Sequence, residues 1–206
     1  MYVPPAFSLI DRAAMLDIVA AHPLAALTTN GPEGPLATQL PLMIETDGEG
    51  RDHVIGHFAR ANPHWKSAGG AMGLAVFRGA DGYVTPDWYA TKRETGKVVP
   101  TWNYVTVQAR GRIDLVEDRD GAKQIVERLT DAMEQRRAQP WAVDDAPAPY
   151  IETMLRGIVA FRMEIDTLTG AAKLSQNKAE ADLEGVRAGV GKGELLHAMD
   201  RLRGSP

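Results

Sequence analysis

Hydrophobic and polar positions change period several times along the first half of the chain. Apolar residues at 3.6-residue spacing predict an amphipathic helix over residues 11–21, with Ser8 or Asp11 able to cap its start. Apolar runs at 24–29 and 36–45 flank the turn residues "NGPEG" and predict a β-hairpin. Strands follow at 53–59 and 71–78, separated by a short helix beginning at Asn62-Pro63.

The second half continues the same mixture. A turn is predicted at 79–82 and an irregular charged segment at 87–97. Residues 99–116 form one long strand, or two joined by a bend at Gly111. Helices are predicted at 118–135 and 151–156, a strand at 158–165, and two polar helices beyond Lys178.

Short strands interrupted by helices, without regular βαβ alternation, predict a mainly β, α+β fold: an antiparallel barrel with peripheral helices. Such a barrel offers ligand sites at its mouth or at a dimer seam.

Composition narrows the chemistry. A net charge of -4 argues against a surface wholly devoted to nucleic acid. The absence of cysteine excludes disulfides, thiolate metal sites and cysteine nucleophiles. His53 and His57 share a strand face but lie about 13 Å apart, too far to share a metal. With no signal-like start and no long apolar run, we expect a cytoplasmic protein.

Three polar clusters could bind a ligand. In "GHFARANPHW", Arg60 ends a strand and Asn62 starts a helix, an arrangement suited to a phosphate. The alternative is a solvated arginine beside a simple helix cap. In "KLSQNK", Lys173 and two amides could bind a polar ring and phosphate oxygens, or the segment could be a helix start capped by Ser175.

The third cluster is "TWNY". On a strand, Trp102 and Tyr104 face one way and Asn103 faces the other, so the aromatics either line a ligand or form ordinary barrel wall. Nucleophile-elbow, P-loop and dinucleotide-binding motifs are missing from the sequence. A helix-turn-helix is conceivable only in the C-terminal tail, where Lys192, Arg201 and Arg203 make a thin basic footprint.

Seven ordered blocks carry a family resemblance: "MYVPPAF", "LATQLPL", "HFARANPHW", "VTPDWYATK", "VVPTWNYVTVQARGRI", "QPWAVDDAPAPYIETMLRGIVAFRMEI" and "KLSQNK". With them the chain resembles the PaiB-type FMN-binding negative transcriptional regulators, within the flavin split-barrel superfamily that includes pyridoxamine-phosphate oxidases. The resemblance implies an antiparallel split barrel over residues 1–170, with a helical tail over 171–206 packed on it.

The resemblance also implies a homodimer with FMN at the subunit seam. Arg60 and Asn62 would meet the phosphate, and Thr38, Gln39 and Leu40 would line the isoalloxazine ring. Contacts from the facing strand or the partner subunit, and from the C-terminal signature, would be Thr101, Trp102, Asn103, Lys173, Gln176 and Asn177. Gln108 stands where the family pattern leads us to expect histidine, and glutamine keeps hydrogen bonding but does not titrate.

Three functions fit these observations. The first is an FMN-binding split-barrel protein with an oxidoreductase-like scaffold. The second is a negative transcriptional regulator that acts through DNA or a protein partner. The third is a ligand-binding barrel without flavin.

Overall fold

A computed structural model describes residues 1–202 of the chain. The helices in this part are α1 (Arg12–Ala21), α2 (Trp65–Ala68), α3 (Ala90–Thr95), α4 (Arg119–Glu134), α5 (Ala148–Arg156), α6 (Glu180–Val190) and α7 (Glu194–Arg201). The strands are β1 (Ser8–Leu9), β2 (Leu24–Gly31), β3 (Gly34–Pro41), β4 (Met43–Thr46), β5 (Asp52–Ala59), β6 (Met72–Val84), β7 (Thr101–Val116) and β8 (Ile158–Lys173). None of these helices has the length and apolar composition needed to span a membrane.

The strands form one sheet in the order β3-β2-β6-β7-β8-β5-β4, and β1 also pairs with β8. The pairings of β2 with β3 and β6, and of β5 with β4 and β8, are antiparallel. This confirms the predicted antiparallel sheet with peripheral helices.

The two ends of the strand order are neighbours in sequence. Only Leu42 separates β3 from β4, and its side chain is fully buried. A Cβ added to Gly56 of β5 would lie 2.4 Å from a Leu42 methyl carbon, so Leu42 packs tightly on β5. The predicted continuous strand over residues 36–45 is therefore broken at Leu42, where the chain passes from one end of the sheet to the other.

The chain divides into two compact units. The first contains residues 1–21, 78–107 and the part from 169 onward, and the second contains residues 22–77 and 108–168. In the second unit, Phe58 and Phe161 are fully buried with ring centroids 5.1 Å apart. In the first, Tyr89, Val186 and Met199 are buried. The predicted division after residue 170 stays a prediction.

Two strands, β6 and β8, are longer than the sequence predicts, and the structure of β7 decides between the two alternatives left open for residues 99–116. β6 continues through the turn predicted at 79–82. Gly82 is a strand residue there, and its missing side chain leaves room for Leu195, which would lie 2.7 Å from an added Cβ. β7 is one continuous strand, and Gly111 is needed because a Cβ there would lie 1.7 Å from the Glu164 carbonyl oxygen. β8 extends beyond the predicted end at 165 to Lys173, and Gly170 and Ala171 in this extension pair with β1.

The predicted helices are mostly present, with two corrections. Asp11 Oδ1 accepts a 2.9 Å hydrogen bond from the Ala13 N–H, as expected of a residue that caps α1. The helix predicted to start at Asn62-Pro63 is wrong in its start: α2 begins only at Trp65 and has four residues. The segment predicted to be irregular at 87–97 contains a 3-10 turn (Pro86–Trp88) and α3.

Candidate functional site

The predicted site residues fall into both compact units, and each group is described separately. Thr38, Gln39, Leu40, Arg60 and Asn62 lie in the second unit. The remaining residues lie in the first unit: Thr101, Trp102, Asn103, Lys173, Gln176 and Asn177.

In the second unit, a buried histidine connects the two predicted ligand segments. We call Thr29, Thr38, Asn62 and His64 the His64 cluster. His64 Nε2 lies 2.8 Å from Thr29 Oγ1, and His64 Nδ1 lies 2.8 Å from Thr38 Oγ1. Asn62 Nδ2 donates to Thr38 Oγ1 at 3.2 Å, and Asn62 Oδ1 accepts the His64 backbone N–H at 3.0 Å. The turn after β5 is thereby fastened to β3.

Burial governs the charge of this histidine. His64 is only 3% exposed, and the Phe58 ring packs 5.2 Å from its ring centroid. Removal of the ring from water disfavours the imidazolium form and lowers the pKa of His64. Both ring nitrogens bond to hydroxyl groups, and no carboxylate among the described residues pairs with the ring to stabilise the imidazolium form. The lowered pKa therefore favours the neutral imidazole at physiological pH.

Arg60 directly follows β5, and two of its guanidinium nitrogens are hydrogen-bonded to backbone carbonyl oxygens. Its Nε donates to the Arg156 carbonyl oxygen and its Nη2 to the Ile158 carbonyl oxygen, both at 2.8 Å. Within residues 1–202 the Arg60 guanidinium forms no ion pair with a carboxylate, and its Nη1 donors are not used. Arg60 also lines an open cavity of about 230 Å³, whose charged lining includes Arg119 and Arg156 as well as Glu117, Asp118 and Glu152. The side chain is fixed, exposed and still charged.

The segment Thr38-Gln39-Leu40 lies on a strand with a free edge. In the described sheet, β2 is the hydrogen-bonded neighbour of β3 on one side, and no strand pairs with the other. Gln39 is exposed, Thr38 is half-buried and Leu40 is buried. Unpaired backbone N–H and C=O groups along such an edge can bond a planar polar ligand.

In the first unit, Lys173 at the end of β8 reaches the start of β7. Its ammonium donates to Thr101 Oγ1 and, at 3.0 Å, to the Trp102 carbonyl oxygen. An ammonium has three donors, so one N–H remains for another acceptor. No carboxylate forms an ion pair with Lys173 in the described part of the chain.

The aromatic residues of "TWNY" lie on one side of β7 and Asn103 on the other, as the alternation predicted, and the aromatic side is the exposed one. Trp102 is 54% exposed and Tyr104 is 37% exposed, whereas Asn103 is fully buried. Tyr83 of β6 adds a third exposed ring, edge-on to Trp102 with centroids 5.9 Å apart. We call Tyr83, Trp102 and Tyr104 the aromatic face. An exposed cluster of large rings is typical of a binding surface.

Asn103 has a different environment from the one predicted. Its Oδ1 accepts a 3.0 Å hydrogen bond from Ser175 Oγ, and its Nδ2 points to Met199 Sδ at 3.9 Å. Ser175 has a φ of 64° and is buried, so it does not cap a helix start. The amide of Asn103 thus holds the turn after β8, and its contact with FMN stays a prediction.

The two amides of "KLSQNK" also differ in role. Gln176 closes the turn on itself, because its Oε1 accepts the Leu174 N–H and its Nε2 donates to the Ala172 carbonyl oxygen. Asn177 is exposed.

Sequence reasoning missed His64, Thr29 and Tyr83. His64 lies two residues after Asn62, a spacing that permits the bond from the His64 N–H to an Asn side chain and that could have drawn attention to it. Thr29 and Tyr83 carried no signal, because their partners are distant in sequence. No three His, Asp or Glu side chains come together as a possible metal site among residues 1–202.

Comparison with known proteins identifies the family. Residues 1–167 match the family described as "Putative FMN-binding domain". The chain belongs to this family. It is also 29% identical over 187 residues to the protease synthase and sporulation protein PAI 2 of Bacillus subtilis, covering 90% of this chain and 87% of that protein. An uncharacterized protein of Emericella nidulans is 31% identical over 225 residues, covering 92% of this chain and 90% of the relative.

The recognised resemblance to PaiB-type proteins is therefore confirmed, and FMN is the cofactor of the family, as predicted. Two solved structures share the fold. The flavocytochrome Anf3 from Azotobacter vinelandii has a TM-score of 0.57 at 16% identity, covering 81% of this chain and 69% of that chain. The FAD and heme binding protein from Mycobacterium smegmatis has a TM-score of 0.57 at 15% identity, covering 90% of this chain and 80% of that chain. The split-barrel fold class is confirmed.

Proposed function

We propose that this protein is an FMN-binding flavoprotein in which Arg60 binds the cofactor's phosphate. The observation that carries the proposal is the hydrogen bonding of the Arg60 guanidinium: Nε and Nη2 donate to backbone carbonyl oxygens, and the N–H groups of Nη1 remain available to an anion. A guanidinium held in this way loses little side-chain entropy when an anion binds, and its bonds to phosphate are charge-assisted. Asn62 is proposed to support this site by fixing the turn after β5.

The isoalloxazine ring is proposed to lie along β3, against Thr38, Gln39 and Leu40. This edge offers unpaired backbone groups, the exposed amide of Gln39 and the hydroxyl of Thr38. These donors and acceptors match the polar edge of a flavin ring in chemical type. The residues present therefore fit the cofactor.

In the first unit, Lys173, Thr101 and Trp102 are proposed as a second set of cofactor contacts. The free N–H of Lys173 supplies a positive donor, and the exposed Trp102 ring supplies a stacking surface. Asn103, Gln176 and Asn177 complete the proposed set; the first two act by holding the turn after β8.

A homodimer is proposed as the assembly. Large exposed apolar side chains support it, namely Leu24 and Met72 in the second unit and Tyr83, Trp102 and Tyr104 in the first. Enrichment of aromatic residues and methionine is typical of protein interfaces. Sedimentation of the purified protein with and without FMN tests this assembly.

When bound, FMN supplies one- and two-electron transfer. The residues named above bind and orient it, and none of them is required as an acid or base. The activity we propose is that of a flavin-dependent oxidoreductase.

The deciding experiment is an absorption spectrum of the purified protein after addition of excess FMN and removal of the unbound fraction. Retained flavin bands are the expected result, and bleaching of these bands by NADH or NADPH under argon would support the oxidoreductase. A protein that returns colourless from repeated loading contradicts flavin binding.

Negative transcriptional regulation is the second candidate, implied by the family resemblance; the relative PAI 2 is named a protease synthase and sporulation protein. The predicted helix-turn-helix segment does contain two helices, α6 and α7. However, Arg201 forms an ion pair with Asp17, and Arg187 pairs with Asp200; Arg203 lies outside the described residues. Salt-sensitive binding to duplex DNA would support this candidate, because phosphate contacts release counterions.

A further inference from the structure

The His64 cluster contains enough hydrogen-bond constraints to assign its protons. A backbone N–H can only donate, so the 3.0 Å contact with His64 N makes Asn62 Oδ1 the acceptor. The amide nitrogen of Asn62 therefore faces Thr38 and donates to Thr38 Oγ1. One of the two lone pairs of that hydroxyl is thus occupied from inside the protein.

Thr29 determines which nitrogen of the neutral His64 ring carries the proton. Thr29 is 3% exposed, and its hydroxyl bonds to His64 Nε2 alone among the described residues. If Nε2 carried the proton, the Thr29 hydroxyl would accept and its own buried proton would have no acceptor, which is costly. The Thr29 hydroxyl therefore donates to Nε2, and His64 is the Nδ1–H tautomer.

The tautomer of His64 determines the hydrogen bonds of the Thr38 hydroxyl. In this tautomer His64 Nδ1–H donates to Thr38 Oγ1 at 2.8 Å, in addition to the bond from Asn62. Both lone pairs of the Thr38 oxygen are then used, and its proton is used by no other described residue. Thr38 is half-buried on the strand with a free edge, so this proton can meet a ligand.

We propose that Thr29 and His64 are positioning residues that make Thr38 an obligatory hydrogen-bond donor to the bound flavin. A flavin atom that meets Thr38 must then be an acceptor, a ring nitrogen without hydrogen or a carbonyl oxygen, and not the ring N–H. This inference rests on the proposed function, but the tautomer itself does not depend on FMN.

The first test needs no cofactor. In the full chain labelled with ¹³C and ¹⁵N, the ring nitrogens of His64 are assigned by through-bond transfer from its backbone, and long-range ¹H–¹⁵N correlations then distinguish the two tautomers. The expected result is a protonated Nδ1 and an unprotonated Nε2. A protonated Nε2 would overturn the inference. In Thr29→Val, which removes the hydroxyl that creates the preference, the Nε2–H tautomer becomes populated, whereas Thr29→Ser keeps the wild-type tautomer.

The second test measures FMN affinity by quenching of flavin fluorescence. Thr38→Val, which lacks the donor, is expected to bind FMN roughly 3- to 10-fold more weakly, the usual range for one hydrogen bond, while Thr38→Ser stays within about 2-fold. Thr29→Val should weaken binding in the same direction, and Thr29→Ser should restore it.

The outcomes separate the two proposals. If wild-type protein binds FMN and Thr38→Val binds it equally well, the donor role of Thr38 is wrong and flavin binding stands. If wild-type protein binds no FMN, the proposed function fails together with the role of Thr38 toward flavin, and the His64 tautomer is judged by the NMR result alone.

Discussion

Lys173 Nζ lies 3.0 Å from the carbonyl oxygen of Trp102, although the two residues are 71 positions apart in sequence. The bond joins the end of β8 to the start of β7 and holds an ammonium that, among the described residues, has no carboxylate partner, next to the backbone of a residue whose indole is exposed. The Lys173 ammonium keeps one N–H for another acceptor, and its positive charge favours an anionic one.

Replacement of Arg60 should weaken FMN binding without unfolding the protein. Arg60→Ala is expected to lose roughly 1.5–3 kcal/mol of binding free energy, the usual size of a charged hydrogen bond. Arg60→Lys keeps the positive charge but lacks the planar guanidinium, which can donate two parallel hydrogen bonds to a phosphate, so we expect an intermediate loss of binding free energy. Arg93→Ala, another exposed arginine, is the matched control. Equal FMN retention in Arg60→Ala and Arg93→Ala would show that the phosphate lies elsewhere.

Replacement of Trp102 should affect binding more than stability. Because its side chain is already 54% exposed, Trp102→Ala should reduce the free energy of unfolding by less than about 1.5 kcal/mol while weakening FMN binding or dimer formation. Trp88→Ala is the matched control, since the Trp88 ring packs where a Cβ on Gly189 would lie 2.2 Å away. The control should lose more stability and bind FMN normally once folded. Denaturant titration and FMN titration of both variants decide the matter.

Ser175 combines a left-handed backbone with a buried hydrogen bond, and two substitutions separate these effects. Ser175→Ala leaves the Asn103 Oδ1 atom without its donor, which should cost about 1–3 kcal/mol. Ser175→Gly loses the same bond but relieves a φ of 64°, so its loss should be smaller by up to about 1 kcal/mol. Urea denaturation gives both values. A glycine variant less stable than the alanine variant would contradict the role of backbone strain.

Acid should destabilise the protein below neutral pH through the half-buried His57 and the buried His64. Burial lowers the pKa of His57 and of His64 in the folded state, whereas an unfolded histidine titrates near about 6.5. Their contribution to stability is therefore present above about pH 6.5 and is lost as the pH falls, because the unfolded chain binds protons more readily. Each histidine changes the slope of the free energy of unfolding against pH by at most about 1.4 kcal/mol per pH unit. His57→Gln should reduce the slope measured by denaturation between pH 7 and 5; an unchanged slope would exclude His57 as a contributor.

The elements of the fold were largely predictable, because hydrophobic period and turn chemistry are local signals. The helix at residues 11–21 and the two C-terminal helices follow from apolar spacing. The strand ends were less predictable, because glycine occurs both in turns and at strand positions against which another segment packs closely. Gly79 and Gly82 indicated a turn, but in the structure they are strand residues that permit close approach of Val105 and Leu195. Only the packed partner distinguishes these uses.

The candidate site was predictable only in part. Strand alternation predicted that Trp102 and Tyr104 share one side of the strand but not that this side is exposed. The position of Arg60 after a predicted strand made it a phosphate candidate, and the family resemblance added Thr38. The hydrogen-bond partners could not be predicted, because Thr29 and His64 are 35 positions apart and Asn103 and Ser175 are 72 apart. The direction of the Asn103 amide depends on these distant contacts.

The passage through Leu42 from one end of the sheet to the other has a consequence for biosynthesis. β5 can pair with its second neighbouring strand only after β8 has been synthesised. Likewise, Glu45 can form its ion pair with Arg162 only after 117 further residues have been added to the chain. At ordinary translation speeds this interval lasts roughly 5–25 s, during which the apolar residues of β5 have no β8 to cover them. The nascent chain is therefore open to aggregation for a time set by the ribosome, and slower synthesis of the middle of the chain should lengthen its dependence on chaperones.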